Sequence, residues 1–200
     1  MVEWATIHAA STALVIGPMV LAALSTALRT LIVFGWWPSN DRLNSPGLAQ
    51  VFDHAAIMGL IIGLISIPVV VLTGTLSSPH GGMGSATTVS KTLLSGVLLG
   101  AALGGLHGRI SSGDALWSSR ITSSLQCGLV GLSALIALEL GSLGGMISRG
   151  ETVLDLVPLV EPMDSAAPLG LGGGFLLFLI GLTTLALAWF VVPRPEDESL

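Results

Sequence analysis

Charge is what this chain has least of. Only 10% of its 200 residues are Asp, Glu, Lys or Arg, against about 25% in a soluble domain. With 52% hydrophobic residues and a mean hydropathy of +0.87, the chain has too little polar surface for water and is expected to be solvated mostly by lipid. Basic residues are the scarcest class: seven against twelve acids, a formal charge of −5. No basic stripe exists to neutralise phosphates, which excludes nucleic acid as a partner. One cysteine, Cys127 inside an apolar run, excludes a disulfide framework and a thiolate metal cluster. The opening MVEWATIH carries an acid and no basic n-region, so it is expected to start a first membrane helix and not a cleaved leader. Also missing are a paired-histidine helix for stacked haems, a Walker loop, HExxH and a nucleophile elbow. Nothing here is equipped to run a reaction alone, and no catalytic activity of its own is expected.

What is present is length of apolar run. A bilayer-crossing helix needs about 20 mostly apolar residues, and five runs qualify: 4–28, 49–76, 88–106, 121–146 and 169–192. Turn-forming stretches separate them: PSNDRLNSPG, SSPHGGMG, GRISSGD and SRGETVLDLVPLVEPMDSAAP. No linker is long and polar enough to divide the chain. The expected fold is all-α, a single bundle of five transmembrane helices spanning residues 1–200 in the cell's cytoplasmic membrane. Arg29, Arg42, Arg109, Arg120 and Arg194 fall on one side of that arrangement and Lys91 and Arg149 on the other. By the positive-inside rule the N-terminus is outside and the C-terminus inside. Trp4, Trp36, Trp37, Trp117 and Trp189 stand near span ends, where an interfacial belt would put them. Gly59/Gly63 in the second span and Gly96/Gly100/Gly104 in the third make small-xxx-small faces for close helix approach. Pro18 and Pro68 are expected kinks.

Ionisable groups inside membrane helices are costly, so each is a functional suspect. The second span opens "LAQVFDHAAIMGL", setting Asp53 and His54 at its mouth. The third returns to the same face with His107 in "GGLHGR", at nearly equal chain distance from the intervening turn. Two imidazoles at one depth, beside Gly104 and Gly105, match what a bis-histidine haem b requires. His54 and His107 would ligate the iron, and Arg29, Arg42 and Arg109 would pair with propionates. Asp53 would orient an imidazole from behind. The plainer alternative is a pair of interfacial histidines. A second polar cluster is expected at the opposite end, where His8, Lys91 and Glu139 fall. Glu139 has no basic neighbour in "LSALIALELGSLGG", so another helix must supply a donor or the carboxyl stays protonated. That cluster reads either as a buried clamp or as a proton or quinone site. His80 with Met83 in "SPHGGMG" is a weak copper signal, more often a plain loop. The 151–168 segment is apolar and acidic by turns, and is expected to form an ordered surface element at a subunit interface or over the bundle's own end.

Several stretches resemble the DUF2231 family of small bacterial and archaeal membrane proteins. "IHAASTALVIGP" holds His8 and Pro18, "VVLTGTLSS" holds Gly74, and "GSLGGMISRGETVLD" is similar to the family's closing element. The likeness covers roughly residues 6–155. It lacks the family's second first-span histidine, and Lys91 stands where a histidine opens the third span. The resemblance implies a helical membrane fold and a redox setting, with His8 as a further cofactor-side residue.

Two functions follow as expectations. One is a cytochrome-b-like subunit of an electron-transfer complex, exchanging electrons with quinone or a partner protein through haem. The other is a cofactor-free anchoring subunit of a larger membrane complex. A small transporter is weaker, since no inverted repeat or broken-helix pair is present.

Overall fold

A computed structural model describes residues 4–36, 46–77 and 86–149. They form α1 (Trp4–Phe34), α2 (Pro46–Ser77), α3 (Ala86–Ser112), a 3-10 turn (Gly113–Trp117) and α4 (Arg120–Arg149). All four α-helices are long and apolar enough to cross a membrane, so the all-α membrane expectation stands in its coarser form. The expected fifth span at 169–192, the 151–168 segment, His80 and Arg42 lie outside the described residues.

Each helix overruns its expected span. α1 reaches Phe34 and not residue 28, and α3 runs through GRISS, expected as a turn, to Ser112. The physical reason is that bilayer thickness limits the apolar run, whereas a helix continues until something stops it. α1 is stopped by Gly35, at φ +70°. Its N–H donates to the Ile32 carbonyl at 3.0 Å, and the Trp36 N–H to the Leu31 carbonyl at 3.1 Å, the paired bonds of a Schellman end. A left-handed backbone disfavours any side chain there. Gly35→Ala is expected to cost about 1 kcal/mol, read as a lowered melting temperature in detergent.

The helices form a ring in which each packs antiparallel on the next: α1 on α2, α2 on α3, α3 on α4, and α4 back on α1. Contacts at matched levels fix the register. His8 meets Gly74, and Ala22 meets Gly59, on α1 and α2. Thr30 meets Ser123 across α1 and α4. The core holds Met19, Leu60, Leu98 and Val130 beside fully buried Thr26, Ser90, Ser123 and Ser133. Large aliphatics such as Leu24, Ile65 and Leu135 point outward. Hydroxylated residues share the interior with aliphatic ones while large aliphatics also face outward, as lipid allows, because acyl chains are as apolar as leucine and close packing drives association. Buried hydroxyls answer to their own helix, as Thr30 donating to the Thr26 carbonyl at 2.8 Å and Ser133 to Leu129 at 3.0 Å.

The two glycine faces fare differently. A Cβ at Gly59 would lie 2.5 Å from the Pro18 carbonyl oxygen and 3.0 Å from the Ala22 Cβ, and one at Gly63 would strike Met19. That face is the α1–α2 seam. Gly96 and Gly100 have nothing within 4 Å of where a Cβ would sit, so these two do not form a seam with a neighbouring helix. Pro18 and Pro68 both lie within continuous helices.

Candidate functional site

The densest polar arrangement stands where α2 begins and α3 ends. Asp53 is one residue from His54, yet a helix turns about 100° per residue, so the two side chains diverge: Asp53 is buried and His54 exposed. The Asp53 carboxylate faces α3. Arg109 Nε donates to Asp53 Oδ1 at 2.8 Å and Oδ2 at 2.9 Å, and Nη2 to Oδ2 at 2.5 Å. The 3-10 turn after Gly113, at φ +52°, then brings Trp117 back over α2. Its indole Nε1–H donates to Asp53 Oδ1 at 3.2 Å. Arg109 also reaches the exposed Asp114 at 3.1 Å. Charge-assisted, forked bonds of this kind are the strong ones, and with only 8% of its side chain exposed Asp53 needs them.

The other expected ligand-side residues are distributed around this pair. Arg29 places its guanidinium 5.4 Å over the Trp117 ring, a cation–π distance. His107 is half-buried, and its carbonyl accepts from Ser111 Oγ at 2.7 Å. A Cβ on Gly105 would meet Val130 at 3.1 Å, with Leu60 and Gln126 behind it. Gln126 Nε2 itself donates to the Gly105 carbonyl at 2.9 Å. The room Gly105 was expected to leave is therefore taken by α2 and α4. The expected propionate partner Arg109 is held by Asp53, and Asp53 orients an arginine where an imidazole was expected. Trp117, expected in the interfacial belt, is 7% exposed and serves as an internal donor, because the 3-10 turn folds it inward. Trp36, by contrast, is 72% exposed.

At the opposite end His8 and Lys91 share a neighbourhood, and Glu139 does not join them. The His8 ring lies over Gly74, where a Cβ would stand 2.9 Å from its Cε1; this is why a glycine follows Thr73. His8 Nδ1 is 3.3 Å from Thr73 Oγ1, and Ser11 Oγ is 3.2 Å from the same oxygen. The Thr73 hydroxyl also lies within reach of the Val69 carbonyl at 2.8 Å and the Val70 carbonyl at 3.2 Å, so it joins His8 and Ser11 to the α2 backbone. Lys91 is near enough to repel His8 electrostatically and packs against Gly144. Glu139 is exposed on α4 and makes no hydrogen bond or ion pair among the described residues. The expected interior clamp is thus corrected: helical phase sets Glu139 in line with exposed Gly128 and Leu135, on the outer stripe of α4.

An apolar cavity of about 30 Å³ lies between Val15, Ile67, Leu98 and Leu140, far below the several hundred of a ligand pocket. No cluster of three or more His, Cys, Asp or Glu side chains that could hold a metal ion occurs among the described residues. Trp117, Gln126, Thr73 and Ser11 were not singled out as site residues from the sequence. The depth argument that paired His54 with His107 applies equally to Asp53 and Arg109, and was the signal available. No known protein family, characterised protein or solved structure matches the chain, so the likeness to DUF2231 rests on the quoted motifs.

Proposed function

We propose that this chain is a cofactor-free anchoring subunit of a larger membrane complex, with its N-terminus outside and its C-terminus inside. The observation that supports it is Glu139. α4 has 30 residues, about 45 Å of helix, and Glu139 stands ten residues before its end at Arg149, roughly 15 Å in. A helix that long, centred on a hydrocarbon core of about 30 Å, puts the carboxyl roughly 7 Å below the lipid surface. An acid at that depth calls for a donor. The remaining apolar run, "LGLGGGFLLFLIGLTTLALAWFVV", contains no cation and no histidine, only the neutral donors of Thr183, Thr184 and Trp189. A donor from another subunit is the reading that fits best. It would reach Glu139 along the open Gly128 and Gly131 surface, where a Cβ would meet nothing within 4 Å. Orientation follows the arginine excess at the Asp53 end.

Glu139→Gln tests this. Partner subunits should be lost from the complex on purification, while the helicity and melting temperature of the isolated chain stay unchanged. Full copurification with the variant would sink the reading. A second function, the cytochrome-b-like haem carrier exchanging electrons with quinone or a partner, has one observation in its favour. The Asp53–Arg109 bridge brings the chain around His54 and around His107 to one level of the bundle. A reduced-minus-oxidised optical spectrum of the purified chain decides between the two. The anchoring reading expects no α-band, and a sharp one would replace it with the haem carrier.

A further inference from the structure

Among the described residues, the Asp53 end carries more cations than carboxylates. Asp53 and Asp114 are both committed to Arg109. Among the described residues, two guanidinium groups on adjacent helices are left without a carboxylate: Arg29 on α1 and Arg120 on α4. Each is instead laid on an aromatic ring. Arg29 lies 5.4 Å over Trp117 and Arg120 lies 5.6 Å over Phe34. Arg120 Nη2 reaches the Phe34 carbonyl at 3.4 Å, a weak bond to the end of α1. Arg29 Nε is buried and has no acceptor, so a desolvated, charged donor waits at the rim of the bundle. Stacking holds both planar groups in place and leaves their N–H edges for an incoming anion.

We infer that Arg29 and Arg120 form a binding site for the phosphate of an anionic phospholipid headgroup. The rim around them says why the anion arrives on a lipid. Trp36 is 72% exposed, Ile121 71% and Leu125 50%, so apolar surface continues from the two arginines down the outer side of α4, where acyl chains would lie. Trp36 packs edge-on against Phe34 at 5.3 Å, which gives the headgroup region an aromatic wall. A phosphate supplies the missing counter-charge to both guanidiniums. The site is separate from Glu139 and stands or falls without any partner subunit.

The test uses the full chain, delipidated in neutral detergent, with native mass spectrometry against an equimolar mixture of phosphatidylglycerol and phosphatidylcholine of matched acyl chains. Basic residues near a headgroup contribute about fivefold each in affinity. The wild type should prefer phosphatidylglycerol by about tenfold or more, Arg29→Gln and Arg120→Gln should each remove about fivefold, and the double variant should not discriminate. Far-UV circular dichroism and elution volume confirm that each variant is folded. Lys91→Gln, at the far end of the bundle, should leave the preference intact. Equal binding of the two lipids by the wild type overturns the inference, as does an equal loss in Lys91→Gln. Displacement of the lipid by millimolar inorganic phosphate would also overturn it, in favour of a soluble-phosphate site.

Discussion

Asp53→Ala should destabilise the bundle by about 3–5 kcal/mol, the usual cost of leaving one member of a buried ion pair behind. The variant strands the Arg109 guanidinium, 14% exposed, with only the 96%-exposed Asp114 for company. It also takes the acceptor from the Trp117 indole. Asp53→Asn should fall between, since an amide oxygen still accepts from Trp117 while the charge on Arg109 goes unanswered. The informative variant is the double one. Replacing Asp53 by Leu and Arg109 by Met removes both charges, and apolar replacement of a buried pair is often neutral or better. It should recover most of the loss, giving a coupling energy well above the roughly 0.5 kcal/mol of independent sites. Thermal unfolding of the wild type, Asp53→Leu, Arg109→Met and the double variant in one detergent measures the cycle. Additive losses would mean that the carboxylate and guanidinium do not act as a unit.

The second large effect is expected at Gly59. Its nearest obstacle is backbone, the Pro18 carbonyl 2.5 Å from a Cβ, and backbone inside a helix cannot step aside as a side chain can. Gly59→Ala is expected to cost about 1–3 kcal/mol as an overpacked seam, and Gly59→Leu to prevent α1 and α2 from closing at all. Gly63 should be more forgiving, because it faces the flexible end of Met19. Gly100→Ala is the matched control on α3. With open space at its Cβ position it should be neutral, or stabilising by up to about 1 kcal/mol through helix propensity. Monodispersity and melting temperature across these variants separate the seam from the open face.

These two sites mark what the sequence made legible and what it did not. Chain order and alternation of direction follow from apolar runs and turn signals, and they suffice to put residues 53–54 level with 107–109. Level is not phase. Whether Asp53 or His54 faces inward depends on which side of α2 meets its neighbours, and a helix apolar on nearly every side gives no stripe to read that from. The same ambiguity sent Glu139 inward on paper and outward in the bundle. Gly59 and Gly96 share the same spacing logic, and only the packed structure distinguishes a glycine with a helix against it from one with none. Trp117 was unreadable for another reason: five residues of 3-10 turn reverse its direction, and nothing in "SSGDALWSSR" announces where the ring will point.

The Asp53–Arg109 bridge also sets a timetable. Its two residues are separated by 56 positions in the chain. At about 5–20 residues per second, ribosomal synthesis delivers Arg109 roughly 3–11 seconds after Asp53. The α1–α2 seam at Gly59 needs nothing made later and can close in that interval. Asp53 meanwhile has no guanidinium to meet, and must stay at the membrane surface until α3 enters. The helical hairpin of α1 and α2 is therefore expected to insert shallowly at first, and to settle to its final depth only when α3 brings the cation.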